Sequence, residues 1–330
     1  MKKRMISAVL ASAMVAAVAL TGCGNNGGDN SSTSDNGSGD GYRVAYIARA
    51  QSDSFAAWLA NEMKTAADKY DDITLDVFDG QADDEKENTA IENCISNGYD
   101  AIIIQPNNGE AQKPYAQQVV DAGIVCITTN AAIDGVEGGS SVDADPYEQA
   151  KVNCVAALEQ VPQNAKVVVL QGPSGNYHAD KRREAWQKEF FDKRPDVQIV
   201  GEDIANWNKD EAMTLMESWV TANDQIDAII SMNDNMAAGA LEAVKDNPKY
   251  ANVLAYGVDG TAEGCLLIQE GKMTSTCLQS AIDLAELNME TVHKLLTGEE
   301  KQINTNIDAP LVNKDNVDQY VEMYKERGLI

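Results

Sequence analysis

Histidine is almost missing from this 330-residue chain, which holds only His178 and His293. Six cysteines occur, none in a C-x-x-C pair, and with so few histidines no zinc-ligand spacing can be assembled. Basic charge is short as well. Lys and Arg number 26 against 52 Asp and Glu, giving a formal net charge of −26 at pH 7. Nucleic acid is bound by Lys and Arg that neutralise phosphates, so this balance excludes it as a partner and disfavours anionic membrane surfaces and polyanionic ligands. The chemistry of an enzyme is also lacking. No G-x-S-x-G motif is present, and the turn Gly172-Pro-Ser-Gly175 lacks a P-loop lysine. His178 with Cys265 or Cys277 would be a dyad without a supporting motif. The chain is therefore expected to be no enzyme, with no cofactor and no metal.

The N-terminus holds the most specific local signal. Lys2, Lys3 and Arg4 precede an apolar stretch from Ile6 to Leu20, and Leu20-Thr21-Gly22-Cys23 follows. The run is short of the ~20 apolar residues a membrane span needs. The pattern resembles a bacterial lipobox, with 1–22 as signal peptide and Cys23 as the acylated anchor. Two acyl chains suffice for stable attachment. Residues 24–41 are Gly, Asn, Ser and Asp almost throughout, which reads as a flexible tether over 23–41. The cysteines Cys94, Cys126, Cys154, Cys265 and Cys277 carry no framework spacing and read as buried free thiols.

From Tyr42 onward strand and helix patterns alternate. Strands are expected over 43–48, 73–78, 101–104 and 124–128, with helices at 55–66, ending at 97, and at 114–122. The pattern restarts after Asp143. Helices over 146–160, 179–192, 209–222, 236–244, 262–270 and 283–297 alternate with strands over 166–170, 197–200, 227–231, 253–256 and 273–278. The C-terminal segment returns through 304–311 and ends in a helix near 316–325. Pure apolar runs such as Ala101–Ile104 suit parallel strands covered on both faces. The fold class is α/β, with two Rossmann-like lobes built on parallel sheets.

Ligands of such sheets sit beyond the carboxyl ends of the strands. There the sequence places Arg49, Asp53 and Phe55, then Asn130, then Asn176, His178 and Arg182. Trp207, Asn233, Asp259 and Gln279 complete the set. Amides, carboxylates and guanidinium groups can each pair with vicinal hydroxyls, and Phe55 and Trp207 can stack on a sugar's C–H face. Each residue has a local alternative: Asp53 and Asp259 as helix N-caps, Asn130 as a turn residue, Trp207 as core, His178 as a structural histidine. For Arg49 two placements stand open, in the cleft or paired with an acid at the surface.

Several stretches carry a resemblance: RVAYIARAQSDSF, VVVLQGPSGNYHADKRREAW, DAIISMNDNMAAGALEAV, YGVDGTAEG and TSTCLQS. Asn233-Asp234-x-Met-Ala-x-Gly239 and Gly257-Val-Asp259-Gly260 are the most specific. From Tyr42 on, the chain resembles the periplasmic ribose/galactose-type sugar-binding proteins, substrate-binding components of ATP-driven importers. The resemblance implies the periplasmic-binding-protein type I fold, with a three-crossing hinge near Asp143, Ser280 and Asp308. One lobe would be 42–143 plus 281–307, the other 144–280 plus 308–330. It also implies that the eleven residues above contact a sugar or polyol, that hinge closure traps it, and that a monomer delivers it to an ABC importer permease outside the cytoplasm. A sensor docking on a receptor, and a sugar acid or furanosyl ligand, stand as alternatives. Ribose-type members often carry Asp-Arg where this chain has Asn130-Ala131, which departs from simple ribose recognition. Residues 159–165 are too few and lack the alternating carboxylates of a calcium loop, so no calcium is expected. Sugar-responsive repressors resemble the same fold but need a basic helical DNA-binding module, which this N-terminus lacks.

Overall fold

The computed structural model describes residues 41–330. The expected signal peptide over 1–22, Cys23 and all of the tether but Gly41 lie outside the described residues. The rest folds on two six-stranded sheets.

The first sheet is built from β1 (Tyr42–Ala48), β2 (Ile73–Asp79), β3 (Ala101–Ile104), β4 (Val125–Thr129), β5 (Ser140–Asp143) and, from far along the chain, β11 (Asn304–Asn306). Its order is β11-β5-β4-β3-β1-β2, and every pair is parallel. The physical reason lies in β1 and β3. Val44, Tyr46 and the small Ala48 face one core with Ala101 and Ile103, while Ala45 and Ile47 face another with Ile102 and Ile104. Successive side chains point to opposite faces, so an unbroken apolar run requires cover on both. Helices α1 (Ser54–Ala67) and α9 (Ala281–Leu296) supply one cover; α2 (Asp84–Ser96) and α3 (Gly109–Asp121) supply the other. Each fully buried aliphatic side chain contributes about 1.5–3 kcal/mol.

The second sheet comprises β6 (Lys166–Gln171), β7 (Gln198–Ile204), β8 (Ala228–Ser231), β9 (Leu254–Asp259), β10 (Ser275–Leu278) and β12 (Leu311–Asn313). Its order is β12-β10-β9-β8-β6-β7, parallel except for the antiparallel β12. Around it lie α4 (Pro146–Gln160), α5 (Tyr177–Glu189), α6 (Lys209–Ala222), α7 (Asp234–Val244), α8 (Ala262–Gln269) and α10 (Val317–Glu326). The chain passes between the sheets after Asp143, after Leu278 and after Asn306. Helix α1 of the first lobe also meets α10 of the second. There Trp58 stands edge-on to Tyr324, 5.6 Å between ring centres, and Arg327 pairs with Glu62 at 3.0 Å.

Helix starts follow their caps. Asp53, Asp83, Asn108, Asp145, Asn176, Asn208, Asn233, Thr261 and Ser280 each accept a bond from a first-turn backbone N–H. This corrects the expected start of α3 at 114. Asn108 caps the helix, which starts at Gly109, five residues earlier, and Pro114 lies inside it. Helix α5 likewise starts at Tyr177 rather than 179 because Asn176 caps it, and it stops at Glu189, ahead of a short 3-10 turn over Phe191–Lys193. Strand β5 was expected only as a break in the pattern, and the return through 304–311 is two short strands in different sheets.

Helices α6 and α7 pack closely at Gly239, where an added Cβ would sit 2.1 Å from the backbone oxygen of Lys209. Backbone cannot step aside as a flexible side chain can. Gly239→Ala is expected to destabilise the protein by about 1–3 kcal/mol through overpacking. Urea denaturation reads the shift; an unchanged midpoint would show that the two helices can separate at little cost.

Candidate functional site

The first lobe's contribution begins where β1 ends. Arg49 is buried, and its Nη2 pairs with Asp53 Oδ2 at 2.5 Å. Both alternatives for Arg49 are thus partly realised: it lies in the cleft and it pairs with an acid, but that acid is in the cleft too. Asp53 keeps its capping role through Oδ1, which accepts from Ala56 N at 3.0 Å. Phe55 sits two residues on, at the first turn of α1. After β4, Asn130 takes a left-handed φ of 58°, and its Oδ1 is buried without a hydrogen-bond partner.

The second lobe faces these groups. Asn176 caps α5 through Oδ1 and donates from Nδ2 across the cleft to the backbone oxygen of Asn107, 3.3 Å away. His178 and Arg182 follow one turn apart on α5, both buried. His178 Nε2 lies 3.4 Å from Asp143 Oδ1. Burial pushes the imidazole below its ordinary pKa, while Asp143 pulls it back up. Trp207 has a φ of 61°, and its ring lies so close over Gly172 that a Cβ there would be 2.2 Å away. The Arg182 guanidinium stands 5.6 Å from the Trp207 ring centre, within cation–π range.

Asn233 caps α7, accepting from Met236 N at 2.9 Å, which leaves its Nδ2 uncommitted. Asp259 ends β9 with a φ of 114° and lies 3.7 Å from Arg182. Thr261, not Asp259, caps α8, which corrects the capping alternative for Asp259. Burial raises the Asp259 carboxyl well above its ordinary range, and Arg182 opposes that rise. Gln279 follows β10 and is buried.

All eleven residues singled out from the sequence line one cleft between the lobes. Gln105, Pro106 and Ala131 line it too and were not singled out. Gln105 follows β3 directly, so the strand-end rule reaches it. Its Oε1 accepts from Tyr46 Oη at 2.9 Å and from Arg49 N at 3.2 Å. Three lining residues, Asn130, Trp207 and Asp259, hold positive φ. Such backbone costs ~1–3 kcal/mol per residue and gathers at sites where side-chain aim matters.

The five described cysteines are buried and unpaired. Burial pushes the Cys94 thiol up to about 11 and Cys126 to about 12. Among the described residues no group of three or more His, Cys, Asp or Glu is placed to hold a metal ion, and no helix is long and apolar enough to cross a membrane.

The periplasmic binding protein domain family matches residues 44–300. The xylitol-binding protein of Mycolicibacterium smegmatis is 27% identical over 95% of this chain and 87% of its own length. The ribose import binding protein of Escherichia coli is 26% identical over 82% of this chain and 90% of its own. An ABC transporter solute-binding protein of Bacillus halodurans, solved with bound myo-inositol, superposes with a TM-score of 0.82 at 26% identity, covering 87% of this chain and all of the other. The chain belongs to the periplasmic binding protein family and has its type I fold, a family of binding proteins rather than enzymes.

Proposed function

We propose that this family member captures a small neutral polyol, a sugar or cyclitol, between its lobes and hands it to an ABC-type importer. The observation that carries this reading is the composition of the cleft. Two arginines, Arg49 and Arg182, each stand beside an acid, Asp53 and Asp259, so neither guanidinium depends on an anionic ligand for its partner. Amide groups of Asn130, Asn233 and Gln279 suit hydroxyls, and the rings of Phe55 and Trp207 offer faces for C–H bonds. The relatives named for xylitol and ribose, and the structure with myo-inositol, agree in ligand chemistry.

In this reading the lobes are 42–143 with 281–307 and 144–280 with 308–330. They move about the three connections, and ligand shifts the population to the closed form because only there do both lobes touch it. The seam of Trp58 and Glu62 with Tyr324 and Arg327 belongs to that closed form. A lipid on Cys23 holds the monomer at the outer face of the membrane, with 23–41 as tether.

A thermal-shift screen tests the ligand class, with xylitol, D-ribose, myo-inositol and hexoses set beside D-glucuronate and amino acids. One neutral polyol is expected to stabilise the protein, by about 2.7 kcal/mol at a hundredfold excess over Kd. Trp207→Ala is expected to remove the shift. Stabilisation by D-glucuronate or an amino acid alone would keep the fold and overturn the ligand class.

A further inference from the structure

We propose that Gln149, which does not line the cleft, is a positioning residue that fixes the polarity of the cleft's second-lobe wall. The inference rests on reading the cleft as a polyol site. Gln149 lies on α4 and is fully buried. Its Oε1 accepts from Arg182 Nε at 3.1 Å and from Arg182 Nη2 at 2.8 Å. Its Nε2 donates to Gln279 Oε1 at 2.5 Å. Arg182 Nη2 donates to the same Gln279 oxygen at 2.8 Å, and Nη1 donates to the backbone oxygen of Met232 at 2.7 Å.

Amide orientation in this cluster is dictated by the guanidinium. Arginine only donates, so the atoms of Gln149 and Gln279 that face it are oxygens. Gln149 must then turn its NH2 to Gln279, and Gln279 is left with its own NH2 for the cleft. The same bonds consume the arginine. Of its five N–H groups, Nε–H and both on Nη2 are taken within the cluster, where His178 Nδ1 stands 3.3 Å from Nη2 as a further acceptor, and one on Nη1 by Met232. A carboxylate is gripped by two parallel N–H groups, on the Nε/Nη2 edge or the Nη1/Nη2 edge. With Nη2 committed, neither edge is open. Arg182 therefore offers a ligand one N–H and a charged face, which suits a hydroxyl and not an acid.

Removing Gln149 undoes both effects. In Gln149→Leu the Nε–H and one N–H of Nη2 lose their acceptor, and buried donors without a partner turn to whatever acceptor the cleft offers. In Gln149→Glu the acceptor for Arg182 stays, but a carboxylate oxygen then faces the Gln279 oxygen, and the repulsion displaces the Gln279 amide from its place at the cleft.

The test uses the purified protein with calorimetry on xylitol, D-ribose, myo-inositol and D-glucuronate, and ¹⁵N NMR of the Arg182 Nε–H. Gln149→Leu is expected to weaken the bound neutral polyol roughly tenfold and to move the ratio of glucuronate to polyol affinity roughly tenfold toward the acid. Gln149→Glu is expected to weaken the polyol by a similar factor. The Nε–H is expected to exchange slowly in the wild type and in Gln149→Glu, and fast in Gln149→Leu. Equal weakening of both ligand types, or a protected Nε–H in Gln149→Leu, would overturn the proposal. If the wild type binds none of the three polyols, the polyol reading fails by itself, and the NMR result alone decides the role of Gln149.

Discussion

Asp259→Ala is expected to raise the Kd for ligand by a hundredfold or more while leaving the fold largely intact. The carboxylate is nearly fully buried at the end of β9, and Arg182 is the opposite charge closest to it. The alanine leaves a ligand hydroxyl in the closed cleft without its acceptor, and an unsatisfied buried donor costs about 1–3 kcal/mol, more beside a charge. The fold is spared because Arg182 is not left bare. Gln149, Gln279 and Met232 continue to accept its N–H groups, so the desolvated cation keeps its hydrogen bonds. Asp259→Asn should fall between wild type and alanine, since Asn tolerates positive φ and retains one acceptor oxygen. Calorimetry together with ligand-free melting separates the two effects. An unaltered Kd in Asp259→Ala would remove this residue from the binding reaction.

Glu87 governs the second large effect, on stability against pH. It stands in the first turn of α2 with no exposed surface. Its Oε2 accepts from Asn107 N at 3.0 Å, but Oε1 has no partner. Burial raises its pKa to about 8; the Asn107 bond and Arg49 oppose the rise, and Asp84 adds to it. The folded chain therefore keeps a proton that the unfolded chain releases above the ordinary glutamate range. Stability from this group is fully present below about 4.3, falls by up to ~1.4 kcal/mol per pH unit above it, and levels off past the folded pKa. Glu87→Gln keeps the shape and cannot ionise. Its stability relative to wild type is expected to grow steadily from pH 5 to pH 8 in urea denaturation. Taking the difference cancels the same-signed contributions of Asp234 and Asp259, which burial also raises. Parallel curves across that range would show that Glu87 is solvated in the folded protein.

Most of the architecture could be read from the chain because its signals are local. Strand β3 and helices α4 and α6 have the bounds expected of them, the strand from an unbroken apolar run. Strand β5 gave no such signal. It is four residues long and largely polar, and its partner β11 lies some 160 residues away, so only the assembled sheet defines it. The cleft residues were reachable because strand ends are. Arg182 and Asp259 follow β6 and end β9, and no knowledge of packing was needed to place them there. Gln149 was out of reach. It sits inside a helix whose other buried residues are ordinary core, and its meaning appears only when Arg182 and Gln279, 33 and 130 residues on, close around it.

The silent thiols have a practical consequence. Buried, unpaired and held protonated near neutral pH, Cys94 and Cys126 do not compete for an alkylating dye, and Cys154, Cys265 and Cys277 are equally enclosed. A single cysteine placed at Ser54 or Asn61, on the α1 side of the seam with α8 and α10, would be the one reactive sulfur among the described residues. A polarity-sensitive fluorophore on it would test the proposed closure, since its brightness would change if ligand opens or shuts the seam. The protein is in this sense already prepared as the body of an optical sensor, with its wiring confined to one surface position.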